Sequence, residues 1–152
     1  MTLDTLPPWA RELLERARVA RLGYVDDRDR PRVLPVTFAL SGGAVWSAID
    51  DKPKRSREPA RLAHLARRPE AALLVDVYED DWAELAWVQL LGRVNVVEAR
   101  GAADALAALA AKYGQYAERT PPGPLLRLTV DSTRQWRATG SPRPDHSLQD
   151  PG

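Results

Sequence analysis

The chain has 152 residues, with 22 basic and 21 acidic side chains and a formal net charge of +1 at pH 7. This length fits one domain with a hydrophobic core, and the balanced charge argues against a nucleic-acid binder, which usually has a strongly basic face. The sequence has no cysteine and only two histidines, so disulfides and thiol catalysis are excluded and we expect no metal site.

The N-terminal segment is charged and lacks an apolar run of signal-peptide length. No segment approaches the roughly 20 apolar residues that a membrane helix requires. We therefore expect a cytoplasmic protein that binds neither nucleic acid nor a membrane.

The first half of the chain predicts one helix and three strands. Apolar residues at helical spacing between Leu6 and Ala17 indicate the helix, and residues 19–26 the first strand. Residues 31–40 predict a second strand, with an edge or a bulge at Pro35, because proline cannot donate to a sheet. Ser41 and two glycines then predict a hairpin turn into a third strand over residues 44–50.

The second half predicts a short helix over 56–68, a buried strand over 71–78, a long strand over 83–98, an alanine-rich helix over 101–113 and a last strand over 125–139. Gly92 marks a bulge that lets the long strand curl. Residues 1–140 are expected to form one mainly β domain, a small β-barrel with helices covering its ends. The tail, residues 141–152, is rich in proline and polar residues and is expected to be poorly ordered.

A basic loop follows the third strand and contains Lys52, Lys54 and Arg55. It could be a solvated surface loop or a phosphate clamp, with lysine as a point charge and arginine as a bidentate donor. Its position favours the clamp, because the amides of the next helix could face the same anion.

The segment Pro35–Thr37 could expose main-chain donors and acceptors at a kink. Such groups can read the pyrimidine edge of a flavin or deazaflavin ring. The alternative is an edge strand that only avoids pairing with other chains.

Other side chains allow a structural and a functional interpretation. The tryptophans at 46, 82, 87 and 136 could stack on a ring, but packing in the core or at a subunit interface is favoured for each. Asp76 is predicted to be a buried carboxylate that pairs with an arginine or caps a turn, and His64 is predicted to lie on the surface. With no nucleophile triad in the sequence, redox chemistry would belong to a bound cofactor.

Four segments in order carry a family resemblance: ARLGYVDDRDRPRVLPVTFAL, WSAIDDKPKR, ARRPEAALLVDVYEDDW and LAWVQLLGRV. They resemble the pyridoxamine 5'-phosphate oxidase-like (PPOX class) flavoproteins with the FMN-binding split barrel, and more narrowly the actinobacterial branch that uses the deazaflavin coenzyme F420. The resemblance implies a split β-barrel that forms a homodimer, with two cofactors bound in grooves between the subunits.

The resemblance also implies roles for individual residues. The backbone of Leu34, Pro35, Val36 and Thr37 would face the ring, Ser47 and Ala48 would line the chain beneath it, and Lys52, Lys54 and Arg55 would hold phosphate. The longer anionic tail of F420 would favour a further cation, Arg61. Trp87 and Gln89, on one strand face, would come from the partner subunit. Many relatives have arginine where this sequence has Gln89.

We therefore predict an F420-dependent oxidoreductase that moves a hydride between the deazaflavin and a small organic substrate. No catalytic side chain is required, because solvent can supply the proton. Two alternatives remain at this point: an FMN-dependent oxidoreductase on the same fold, and a cofactor-binding carrier without turnover.

Overall fold

A computed structural model of the chain describes the backbone of residues 2–48 and 58–138, and the side chains of 2–48 and 63–138. The helices are α1 (Pro8–Arg16), α2 (Glu58–Arg67), α3 (Ala103–Lys112) and α4 (Gly114–Glu118), with short 3-10 turns at Leu3–Thr5, Trp82–Glu84 and Ala99–Gly101. The strands are β1 (Ala20–Val25), β2 (Pro31–Val36), β3 (Ala39–Ser41), β4 (Ala44–Ala48), β5 (Glu70–Val77), β6 (Ala86–Val97) and β7 (Leu125–Arg137).

The strands form one seven-stranded sheet in the order β2-β1-β5-β6-β7-β4-β3, and every pairing is antiparallel. The outermost strands, β2 and β3, are separated in the chain only by Thr37 and Phe38. Because so short a link spans at most about 10 Å, the two edges of the sheet must curl toward each other. The sheet is therefore a barrel that is split between β2 and β3, as predicted.

The core fills the barrel and continues under one helix. Alternate residues of β1, β5, β6 and β7 point inward, among them Leu22, Val75 and Leu90. They pack with α1, which contributes Leu14 to the same cluster. A second cluster lies outside the barrel, where Leu109 of α3 packs over the β3–β4 hairpin. Burial of these side chains is the main stabilising term of the fold.

The long strand β6 bends at Gly92, as predicted. The pairing with β7 shifts there: Leu91 lies opposite Ser132, whereas Gly92 lies opposite Val130, so Asp131 of β7 is the extra residue. A Cβ atom on Gly92 would lie 1.9 Å from the carbonyl oxygen of Thr129. Only glycine permits this close approach of the two backbones.

The structure corrects several predicted details. Residues 31–40 form two strands instead of one, and α4 is a helix that the sequence did not predict. Asp76 is exposed instead of buried, because Val75 takes the inward position of β5. His64 is half-buried and stacks on Tyr24 with ring centroids 6.3 Å apart, so it is not a surface residue.

Candidate functional site

Residues 37 and 38, the link between β2 and β3, are held by side chains that are 79 and 75 positions later in the sequence. The hydroxyl of Tyr113 accepts a hydrogen bond from the Phe38 amide at 3.1 Å and lies 3.2 Å from the Phe38 carbonyl. It also donates to the carbonyl of Arg18 at 2.9 Å. The helices outside the barrel thus fix the backbone at the split between the sheet edges.

Thr37 is fixed in the same way. Its hydroxyl lies 2.9 Å from the hydroxyl of Tyr116 in α4, and its carbonyl accepts a hydrogen bond from Ser47 Oγ at 2.7 Å. Ser47 is buried. The hydroxyl and the carbonyl of Thr37 therefore both take part in hydrogen bonds. These bonds hold the preceding peptide groups of β2 in one orientation.

Strand β2 is one of the two edge strands of the sheet, which confirms the edge predicted from Pro35. Leu34 and Val36 pack against the barrel core, whereas Val33 and Pro35 face outward and are exposed. Neither proline of this strand has an amide hydrogen, so the edge presents more acceptors than donors. A flat ring with an N–H group can bind such an edge through main-chain carbonyls.

The remaining predicted contacts divide into two groups. Ala48 packs against the cluster under α3, and the Ser47 hydroxyl is used by Thr37. Lys52, Lys54 and Arg55 lie outside the described residues, and of Arg61 the structure describes only the backbone, within α2. The proposed phosphate clamp therefore remains a prediction from the sequence.

Trp87 and Gln89 lie on the outer face of β6, opposite the barrel interior. The pairing places Pro35, Arg21, Leu74 and Gln89 in one row across β2, β1, β5 and β6. Three strand spacings of about 4.8 Å separate the ends of this row. One chain therefore does not bring Gln89 against the edge of β2.

The row continues to a residue that the sequence did not single out. Arg134 of β7 lies directly opposite Gln89, and Trp136 lies opposite Trp87. The neighbouring strand thus places an arginine beside Gln89 on the outer face of the sheet. The alternation of polar residues in β7 was visible in the sequence, but the face on which they lie depends on the bulge.

The turn that precedes β2 is organised by Asp26. This buried carboxylate accepts hydrogen bonds from the amides of Arg28 and Arg30 at 2.9 and 3.0 Å, and from the guanidinium of Arg32 at 3.3 Å. The amide of Arg30 is the largest of the causes that hold the pKa of Asp26 far below its usual value. Asp26 thus anchors one end of the strand whose other end is fixed through Thr37.

Lys112 of α3 lies beneath the same link. Its ammonium group is 3.7 Å from the ring centroid of Phe38 and donates to the Leu14 carbonyl at 3.2 Å. Partial burial, followed by the nearby charge of Arg18, lowers the pKa of Lys112 to about 8. This amine therefore loses its proton more easily than an ordinary lysine.

Within the part of the chain that the structure describes, no group of three or more His, Asp or Glu residues could hold a metal ion. Among the same residues, no helix is long and apolar enough to cross a membrane.

The arrangement at β2 is suited to holding a flat ring by its main chain.

A curled antiparallel sheet, split between two edge strands and covered by helices, defines the class of split β-barrel proteins. The chain belongs to the pyridoxamine 5'-phosphate oxidase family, whose family model matches residues 6–137. This confirms the split-barrel fold and the pyridoxamine 5'-phosphate oxidase-like family predicted from the sequence, whereas the narrower F420-using branch stays a prediction. No curated protein is similar enough in sequence to match.

Solved structures share the fold at low identity. A conserved hypothetical protein of Mycobacterium tuberculosis superposes with a TM-score of 0.67 at 16% identity, over 84% of this chain and 81% of that one. An FAD-binding protein of Mesorhizobium loti gives 0.61 at 16% identity, over 86% and 94%. The heme storage protein HutZ of Vibrio cholerae gives 0.66 at 17% identity, over 90% and 95%.

Proposed function

We propose that the protein is an oxidoreductase of the PPOX class that uses coenzyme F420 to transfer a hydride to or from a small organic substrate. The observation that supports this is the edge of β2, where the side chains of Tyr113, Tyr116 and Ser47 fix the main chain that follows the strand. When bound there, the deazaflavin supplies the hydride chemistry at its C5 atom. The protein binds and orients the ring.

Each part of the chain has a separate task in this proposal. The edge of β2 binds the polar side of the ring, and Pro35 limits its position. Lys52, Lys54 and Arg55, outside the described residues, bind the phosphate. Arg61 binds the anionic tail. Since no acidic side chain is assigned to the reaction, water at the open face of the ring supplies or removes the proton.

A homodimer completes the groove. The outer face of the sheet exposes Val33 by 69% and Trp136 by 46%, and Leu74, Trp87 and Leu91 of the same face are half-buried. These apolar side chains flank the polar row of Arg21, Gln89 and Arg134, and apolar side chains that are exposed beside such a polar row suit an interface. A second copy on this face would bring Trp87, Gln89 and Arg134 of one subunit to the β2 edge of the other.

Two further functions have support. The family and the FAD-binding protein of Mesorhizobium loti favour an FMN-dependent oxidoreductase, since FMN shares the tricyclic ring and a phosphate with F420. The similarity to a heme storage protein favours a carrier that binds its ligand without turnover. Both alternatives use the same fold and differ in the ligand and in the chemistry.

Binding and turnover separate these functions. The purified protein is titrated with FMN and with F420, following fluorescence quenching, and reduced F420 is then mixed with nitroaromatics, enones and tetrapyrroles. We expect tight F420 binding and oxidation of the reduced form by one of these acceptors. A yellow protein that prefers FMN would support the first alternative. F420 binding without turnover would support the carrier.

The variant Lys54→Ala tests the phosphate contact. Loss of one charged hydrogen bond costs about 1.5–3 kcal/mol, or roughly tenfold or more in cofactor affinity. The control is Arg11→Ala, which removes an exposed cation of α1 that pairs with Glu15. Equal affinity of the Lys54→Ala variant and the wild type would remove Lys54 from the site.

A further inference from the structure

A cavity lies between the β3–β4 turn and the start of α3. Its volume is about 520 Å³, and Trp46, Arg100 and Arg127 are among its lining residues. Ser47 and Ala48, of the cofactor site, lie at the opposite end of β4 from the turn that lines this cavity. The cavity is thus separate from the groove at β2, and its volume is in the range of small-molecule sites.

Arg127 is held in a fixed orientation inside this cavity. It lies directly opposite Trp46 in the pairing of β4 and β7, and its guanidinium carbon is 5.7 Å from the centroid of the indole ring. The indole is itself fixed, because its Nε1 donates to the Ser41 carbonyl at 3.0 Å. An arginine that is already ordered loses little conformational entropy when it binds a ligand.

Within the described part of the chain, the Nε–H group of this arginine has no hydrogen-bond acceptor. Because Nε is cut off from solvent, the two Nη groups are the donors through which Arg127 can reach an acceptor in the cavity. The two Nη donors of a guanidinium can bind oxygens of one anion.

Other groups around the cavity add positive potential. Arg100, on the turn before α3, is exposed and lines the same cavity as Arg127. The first residues of α3 also line the cavity, and no side chain caps this helix end. Asp104 is the one acidic residue on the described lining, so the two guanidiniums outnumber the carboxylates.

We infer that this cavity binds the phosphate group of a small molecule. Arg127 and Arg100 bind the phosphate oxygens from two sides, and the remaining volume holds the organic part beside Trp46. A tetrahedral phosphate suits this arrangement better than a carboxylate, because it offers acceptors to donors that converge from two directions. The inference does not depend on the cofactor at β2.

The test is an NMR titration of the full chain with inorganic phosphate and with adenosine monophosphate. F420, the cofactor proposed for the edge of β2, is present throughout, so that the titrated phosphates report on the cavity. We expect saturable shifts of the Trp46 indole N–H and the Arg127 Nε–H signals. Tighter binding of the nucleotide than of phosphate would support an organic ligand. Binding of phosphate with exclusion of the nucleotide would overturn the small-molecule ligand, since the site would then take only the free ion.

Three variants identify the site. Arg127→Gln is expected to weaken binding at least about tenfold and Arg100→Gln at least about threefold, as expected for charged hydrogen bonds. The control is Arg119→Gln, an exposed arginine after α4, which should change the affinity less than about twofold. If Arg127→Gln does not fold, Arg100→Gln decides. Unmoved signals in the wild type, or an equal loss in the control, would overturn the inference.

Discussion

The hydroxyl of Tyr116 lies 2.9 Å from that of Thr37, although 79 residues separate them in the chain. Tyr116 belongs to α4, a helix of five residues outside the barrel, whereas Thr37 follows the edge strand that would face the cofactor. The contact therefore joins a helix that has no fully buried residue to the backbone on which the proposed site depends. It makes Tyr116 a positioning residue.

The variant Tyr116→Phe should weaken cofactor binding. Loss of this hydrogen bond costs about 0.5–1.5 kcal/mol, which corresponds to roughly twofold to tenfold in affinity. Fluorescence quenching by F420 and by FMN measures the effect, and the dissociation rate should account for most of it. A merely structural role would lower the melting temperature and leave the affinity of the folded protein unchanged.

The matched control for this variant is Tyr78→Phe. Tyr78 is 64% exposed, and its hydroxyl is 3.4 Å from the indole nitrogen of Trp82. We expect its removal to leave cofactor affinity within about twofold of the wild type, because an exposed and long hydrogen bond contributes little. If both tyrosines behave alike, the contact with Thr37 does not position the cofactor.

The outer sheet face gives a prediction about assembly. A carboxylate at position 33, in Val33→Glu, would replace an apolar contact of the proposed dimer by a charge that must lose its water, which is unfavourable. Sedimentation velocity should find a dimer for the wild type and mainly monomer for this variant. Cofactor affinity should fall with it, since each groove takes residues from both subunits.

Val96→Glu provides the comparison. Val96 is also exposed, but it lies on β6 beyond Gly92 and outside the rows that contain Pro35 and Gln89. We expect this variant to remain a dimer with wild-type cofactor affinity. A monomeric wild type, or a Val33→Glu variant that stays dimeric, would contradict the proposed interface.

Gly92 gives a prediction about stability. In Gly92→Ala the new Cβ would meet the backbone carbonyl of Thr129, which cannot move without disturbing the pairing of β6 and β7. Such overpacking costs about 3 kcal/mol or more. Urea unfolding followed by circular dichroism measures the loss. The variant Gly101→Ala, where nothing lies within 4 Å of the new Cβ, should be nearly neutral.

Local features of the sequence were sufficient for much of the fold. The turn at Gly42 and Gly43 was predictable because both residues have positive φ, at 62° and 77°, which glycine adopts without strain. Pro35 indicated an edge strand because it lacks an amide hydrogen, and Gly92 indicated the bend of β6. In each case the residue type itself, glycine or proline, indicates a backbone geometry or a strand position that other residue types do not indicate.

The site was less predictable because its geometry depends on long-range register. Period-two alternation from Leu128 and Val130 would send Arg134 into the barrel. The extra residue, Asp131, reverses the faces and places Arg134 outward beside Gln89. The bend was expected at Gly92 of β6, but nothing local indicated that β7 carries the additional residue. The contact of Tyr116 with Thr37 likewise depends on how α4 packs.

Lys112 gives a prediction about pH. Its pKa is about 8 in the folded chain, against an ordinary value of 10.5, so between these values the unfolded chain holds more protons. Stability contributed by this group therefore rises as pH increases from about 8. Burial raises the pKa of Tyr113 above 10.0, which would lower stability at higher pH. The useful window thus ends near pH 10.

The measurement is the urea midpoint of the wild type and of Lys112→Met at several pH values between about 8 and 9.5. Methionine keeps an unbranched side chain of similar length and removes the titrating group. We expect the wild type to gain stability relative to the variant across this range, and the difference between them to be constant between about pH 6 and 7, where Lys112 is charged in both states. A difference that does not change between pH 8 and 9.5 would mean that the amine has an ordinary pKa, and that its burial between α1, α3 and the β2–β3 link is compensated by the Leu14 carbonyl and the Phe38 ring.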